Sequence, residues 1–157
     1  MNRIALTDHF TLSEFVASDT AARQHIDNNL PDALRVTAVQ TCAMLERILA
    51  RLCALAGREI PIAITSGYRC AALNSAIGSV ATSDHPRAMA VDFKAAGFGT
   101  PFEIAAALAP SVRELGIGQL IHEFGTWVHV STRQPSNDIN RILTISRRGT
   151  VVGIERI

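Results

Sequence analysis

Residues 119–131, QLIHEFGTWVHVS, contain two short runs rich in apolar and β-branched residues on either side of a central glycine. Runs of this length and composition are typical of β-strands, and a glycine between them is typical of a turn. We therefore predict strands over 119–123 and 127–131. The two runs also carry side chains that can perform chemistry: His122 and Glu123 in the first, and His129 in the second.

Outward from this segment, the pattern places most helices before most strands. Apolar residues spaced by three and four predict a helix over 32–56, which Gly57 ends. Shorter helices are predicted after Thr11, over 71–77 and over 101–109, and the polar stretch 19–31 is interpreted as short turns. Further strands are predicted over 60–65, 88–93, 142–146 and 151–154. This order predicts an α+β fold with helices on one face of an antiparallel sheet.

Composition and charge restrict the class of protein. The chain has 157 residues, of which 48% are hydrophobic and 18% charged, with a net charge of +1. This length predicts a single domain over residues 1–157. The near-zero charge gives no electrostatic footprint for nucleic acid, and no apolar run approaches the roughly 20 residues of a membrane-spanning helix. The first residues lack a secretory-signal pattern, so we expect a cytoplasmic monomer that binds no nucleic acid and does not insert into membranes.

Two histidines and an aspartate form the most informative set of polar residues. His85 and Asp92 lie in the segment 83–92, SDHPRAMAVD, and His129 lies in the strand over 127–131. Two imidazoles and one carboxylate are a ligand set of catalytic zinc, which keeps its fourth position for water. Glu123, six residues before His129, is the candidate general base, and Arg69 could bind a substrate carboxylate. Taken singly, each of these residues more often has a structural role.

Their neighbours make the pattern more specific. Ser83, His85, Ala90 and Asp92 match the signature Ser-x-His-x-x-Gly-x-Ala-x-Asp, and Trp127 with His129 matches a later Trp-x-His. In these motifs the chain resembles the zinc D-alanyl-D-alanine carboxypeptidase family of peptidoglycan peptidases, in its short phage- and prophage-associated branch. Further segments that resemble this branch are FTLSEF at 10–15, DN at 27–28, TSGYR at 65–69 and LN at 73–74.

The resemblance implies a hedgehog/DD-peptidase-like fold and one Zn²⁺ ion per chain on His85, Asp92 and His129. It also implies that the substrate is a stem peptide of peptidoglycan, and that Arg69 helps to bind it. Two further residues are assigned to the site as hypotheses. Ser83 would hydrogen-bond a ligand or the loop backbone, and His122 would orient Glu123 or stabilise the transition state.

The sequence departs from the family pattern at two positions. Thr126 stands three residues before His129, where many members have an acidic residue, so Glu123 is assigned as the base at a spacing that resembles the hedgehog zinc site. Ala88 stands where the family has glycine. If that position requires a positive φ, alanine would cost about 1 kcal/mol and shift His85 slightly.

The sequence leaves several functions open. D,D-carboxypeptidase, dipeptidase and L-alanyl-D-glutamate endopeptidase activities all occur on this fold, and no feature selects one of them. A non-catalytic zinc-binding module and a phage structural or assembly protein are alternatives on the same fold. If the chain is a wall peptidase, we expect it to reach the cell wall through a holin pore or as part of a virion.

Overall fold

A computed structural model describes residues 4–157; the first three residues of the predicted domain lie outside the described part. The helices are α1 (Leu12–Val16), α2 (Asp19–Gln24), α3 (Arg35–Ala56), α4 (Ala71–Ala76) and α5 (Pro101–Leu108). The strands are β1 (Ala63–Ser66), β2 (Ala90–Lys94), β3 (Gln119–Glu123), β4 (Trp127–Ser131), β5 (Ile142–Ser146) and β6 (Gly149–Val152). Short 3₁₀ turns, one of them His85–Arg87, connect some of these elements.

The six strands form one sheet in the order β1-β2-β4-β3-β5-β6. Four of the five neighbouring pairs are antiparallel, whereas β3 and β5 run parallel. The prediction of an α+β fold is confirmed, but the prediction of a purely antiparallel sheet is wrong at this one pair. The parallel pair arises because the segment between β4 and β5 returns the chain to the start of β3, where Leu120 lies opposite Ile142.

Local signals explain most helix boundaries. Thr11 and Glu14 form a capping box at the start of α1, and Thr100 and Glu103 form another at the start of α5. Gly57 ends α3 in the left-handed conformation, as glycine does at many helix ends. The interpretation of 19–31 as short turns is wrong in its first part, because α2 begins there. The Ser18 side chain accepts a hydrogen bond from the amide of Ala21 and so caps a short polar helix.

The sheet has two chemically different faces. Side chains alternate between the faces along each strand, and residues opposite each other in paired strands share a face. One face packs against α3 and α5, and its central side chains are fully buried: Val91, Phe93, Leu120, Val128 and Val130. The other face carries Asp92 opposite His129 and Glu123 opposite Trp127. The apolar face therefore fixes the sheet, and the polar face presents the candidate site.

Candidate metal centre and active site

The sheet brings His85, Asp92 and His129 together. Asp92 in β2 and His129 in β4 lie directly opposite each other, and His85 comes from the 3₁₀ turn that precedes β2. One potential ligand atom from each residue lies within 4.8 Å of the others, and all three residues are buried. The Oδ1 atom of Asp92 lies 2.8 Å from Nδ1 of His129 and 3.3 Å from Nε2 of His85. The three residues predicted as ligands thus form one cluster.

The tautomer of His85 leaves one ring nitrogen free to bind a metal. Its Nδ1 atom lies 2.6 Å from the carbonyl oxygen of Gly67. A carbonyl only accepts, so Nδ1 carries the proton and Nε2 carries a lone pair. This Nε2 atom is buried and has no hydrogen-bond partner among residues 4–157. Because an unpaired buried nitrogen costs free energy, its position beside Asp92 and His129 fits a metal ligand.

The charges in the cluster shift the pKa values of its members in different directions. Burial lowers the pKa of His85, so its imidazole is neutral. Burial alone would raise the pKa of Asp92, but His85 and His129 outweigh it and the pKa lies well below its usual range. Burial opposes the charged form of His129, yet its hydrogen bond and charge attraction to Asp92 raise its pKa. The set therefore contains an ionised carboxylate and one neutral imidazole, both suited to a divalent ion.

The loop that fixes His85 is itself held by close contacts. Gly67, whose carbonyl orients His85, lies against α1, and a Cβ there would come within 2.3 Å of the carbonyl oxygen of Phe15. Asn28 is buried and donates to the carbonyl of Tyr68 at 3.0 Å, while its side-chain oxygen accepts from the amide of Cys70 at 2.8 Å. Asn28 therefore contacts the residues on either side of Arg69 and fixes the backbone at that position.

Ala88 adopts the conformation that favours glycine. Its φ is 57° and its ψ is 22°, in the left-handed region. The residue is fully buried, and its carbonyl oxygen accepts from the hydroxyl of Thr41 in α3 at 2.8 Å. The condition stated from sequence, a positive φ at this position, is confirmed. Packing against α3 holds the strained alanine, and His85 retains its place in the cluster.

A buried carboxylate joins the two segments of the cluster. Asp84 is buried, and its Oδ2 atom accepts from the hydroxyl of Ser131 at 2.8 Å. Its Oδ1 atom lies 2.6 Å from Nε of Arg133. Asp84 precedes His85, and Ser131 follows His129 by two residues. This side chain therefore ties the turn with one candidate ligand to the strand with another. The order of residues alone gave no signal for it.

Arg69 and Glu123 lie beside the cluster on the same face of the sheet. Arg69 contacts Oδ2 of Asp92 at 3.3 Å. Oε2 of Glu123 accepts a hydrogen bond from Nε1 of Trp127 at 2.9 Å, and its Oε1 atom has no hydrogen bond among residues 4–157. Burial raises the pKa of Glu123, although His129, Trp127 and Arg69 act against the shift. Thr126 donates its hydroxyl to the carbonyl of Phe124 in the turn. Glu123 lies close enough to the cluster for the charges of His129 and Asp92 to act on its pKa.

The remaining two assigned residues have other contacts. His122 points to the opposite face of the sheet, where its Nδ1 atom donates to the carbonyl of Glu155 at 2.8 Å and its ring meets the edge of Phe102. We therefore remove His122 from the candidate site; the period of two along β3 separates it from Glu123. The hydroxyl of Ser83 accepts from the amide of His85 at 3.4 Å, which is a contact with the loop backbone.

Comparison with known proteins agrees with this geometry. The family model described as Peptidase M15 matches residues 8–131, which include all three clustered residues, Arg69 and Glu123. No curated protein matches the chain. None of the helices in the described part of the chain is long and apolar enough to cross a membrane.

Proposed function

Because the chain belongs to the peptidase M15 family, which consists of zinc-dependent metallopeptidases, we propose that it hydrolyses peptide bonds in the stem peptides of peptidoglycan. One observation carries the proposal most strongly. The unpartnered Nε2 atom of His85 faces Asp92 and His129, and the free oxygen of Glu123 lies on the same face of the sheet. A structural histidine would be expected to satisfy both of its ring nitrogens.

His85, Asp92 and His129 would hold the zinc ion. When bound, zinc would polarise the substrate carbonyl and lower the pKa of the attacking water. Neighbouring residues of the protein hold these ligands in place. Gly67 fixes the ring of His85, and Asp84 ties the two ligand-bearing segments together. Such outer contacts hold ligands in the orientation that metal binding requires.

Glu123 is the proposed general base. Trp127 holds its Oε2 atom, which leaves Oε1 to accept a proton from the water that adds to the peptide carbonyl. The same carboxyl then donates that proton to the amine that leaves as the carbon–nitrogen bond breaks. A raised pKa suits both steps, since the group must release the proton it has taken up. Arg69 would pair with a carboxylate of the substrate and fix its register.

The test is digestion of purified peptidoglycan with mass spectrometry of the released fragments. The wild type with zinc should release peptides or amino acids, and a chelator should stop the release. Glu123→Gln should retain zinc and lose activity by at least about 100-fold, in line with loss of a general base. Thr126→Ala is the matched control and should remain active. Zinc binding without release by any variant would favour the non-catalytic module, and fragment masses would identify a carboxypeptidase, dipeptidase or endopeptidase.

A further inference from the structure

A cavity adjoins the metal cluster on the side of β1. Its volume is about 340 Å³, and it lies between α2, the end of β1 and α4. Arg69 lines this cavity and also contacts Asp92, and Ser66, which lies opposite Asp92 in the β1–β2 pair, lines it as well. The cavity therefore begins one side chain away from the candidate zinc ligands. A volume of this size is at the lower end of small-ligand sites, so it suits a single amino-acid residue of a substrate.

Two arginines with unused hydrogen-bonding capacity line this cavity. The Nε atom of Arg69 is buried and has no hydrogen-bond partner among residues 4–157. Arg23, an exposed residue of α2, donates to the hydroxyl of Thr20 at 3.3 Å and has no ion-pair partner in the described chain. Asp19 is the one acidic side chain of the lining, and it lies within 4.0 Å of neither guanidinium. With two arginines and one aspartate, the lining carries a formal charge of 2 − 1 = +1.

We propose that this cavity binds a carboxylate of the substrate residue next to the scissile bond, and that Arg23 determines the preference for that carboxylate over its carboxamide. The proposal rests on the proposed peptidase function. A guanidinium binds a carboxylate through charge-assisted, two-pronged hydrogen bonds, whereas a carboxamide provides a single neutral acceptor and adds donors that face the guanidinium. Arg69 holds the inner side of the group, next to Asp92, and Arg23 holds its outer side.

The negative charge of Asp19 offsets the positive charge of the two arginines, so the charge of the cavity can be changed in either direction. Replacing Arg23 with glutamine changes the charge of the lining from +1 to 0, and replacing Asp19 with asparagine changes it to +2. The two exposed substitutions should shift carboxylate recognition in opposite directions, because both side chains line one cavity. A role in folding alone would not produce opposite effects that depend on the charge of the ligand.

The experiment compares two synthetic stem peptides that differ only in one carboxylate, which is a carboxamide in the second peptide. The ratio of kcat/KM for the two peptides is measured for the wild type, Arg23→Gln, Asp19→Asn and Arg148→Gln. The last variant is a matched control, because Arg148 is exposed and lies outside the cavity. We expect Arg23→Gln to reduce the carboxylate preference about tenfold, Asp19→Asn to increase it, and Arg148→Gln to leave it unchanged.

Calorimetric binding of the same two peptides to the zinc-loaded Glu123→Gln protein repeats the comparison without turnover. An unchanged ratio in Arg23→Gln, or an equal loss in Arg148→Gln, would overturn the assignment of the cavity. If the wild type cleaves neither peptide, the proposed function fails. In that case, a calorimetric preference for the carboxylate that disappears in Arg23→Gln supports the subsite, and equal binding of both peptides overturns it.

Discussion

Asp84 should control both the stability of the fold and the affinity of the candidate metal site. It is buried, and it joins the turn that carries His85 to the end of the strand that carries His129. Its closest partners are the hydroxyl of Ser131 at 2.8 Å and Nε of Arg133 at 2.6 Å, and Nη1 of Arg87 lies at 3.5 Å. Asp84→Ala removes the acceptor for these groups at once and leaves the Ser131 hydroxyl buried without this bond.

The expected magnitude follows from the exposure of these partners. Leaving a buried hydroxyl without its acceptor costs about 1–3 kcal/mol. Arg133 has a side chain that is 52% exposed, so water can replace its partner, and its loss adds at most about 1 kcal/mol. We therefore expect Asp84→Ala to lower the free energy of unfolding of the metal-free protein by about 1–4 kcal/mol. Loss of this support for the ligands should weaken zinc binding about 10–100-fold.

Urea unfolding in the presence of a chelator measures the first effect, and competition with a chromogenic chelator measures the second. Asp84→Asn keeps one acceptor oxygen and should lie between the wild type and Asp84→Ala. Arg87→Ala is the control. It removes only the longest contact of Asp84, at 3.5 Å, from a largely exposed side chain, so both measured quantities should stay near those of the wild type. The reasoning is refuted if Asp84→Ala matches the wild type in unfolding free energy to within about 0.5 kcal/mol, the range expected for an ordinary surface substitution, and binds zinc equally tightly.

Three further predictions follow from individual groups. The pKa of His129 is raised through Asp92, so zinc must displace a proton from this imidazole at acidic pH. The affinity for zinc should therefore rise with pH through a value above that of an ordinary histidine in competition titrations, and a flat profile would contradict this. Burial raises the pKa of Glu123, and a general base must be ionised to accept a proton. The value of kcat/KM should therefore fall as the pH falls through a pKa above that of an ordinary glutamate. An acidic limb of the pH profile at or below the pKa of an ordinary glutamate would contradict the assignment. Phe124 has a φ of 50°, a left-handed conformation that asparagine adopts more readily than phenylalanine. Phe124→Asn should therefore raise the unfolding free energy by about 1 kcal/mol in urea titrations. A decrease would show that the contact of the Phe124 ring with Trp127 matters more.

The sequence predicted those parts of the fold that local patterns determine. The bounds of β3, β4 and β5 agree with the prediction, because each strand is a short apolar run between turn residues. The helix α2 was missed because its residues are polar and its signal is one serine cap. The parallel pairing of β3 with β5 was missed because nothing within either strand specifies a distant partner.

The residues of the candidate site were likewise predicted only in part. His85, Asp92 and His129 were predicted as a set from residue type and order, and the antiparallel pairing of β2 with β4 brings two of them into register. His122 was misplaced because adjacency in sequence was given more weight than the alternation of side chains along a strand. The network around Asp84 joins residues 47 positions apart, a contact that exists only once the sheet has formed.

The central claim is that His85, Asp92 and His129 together hold one zinc ion. It is tested most directly by measuring the zinc content of the purified protein after equilibration with zinc and removal of the excess. We predict about one zinc ion per chain in the wild type and in Glu123→Gln, as expected for a three-ligand site. His85→Ala, Asp92→Ala and His129→Ala should each lose most of the metal while circular dichroism shows a folded protein. A wild type without zinc, or folded ligand variants that retain it in full, would contradict the account.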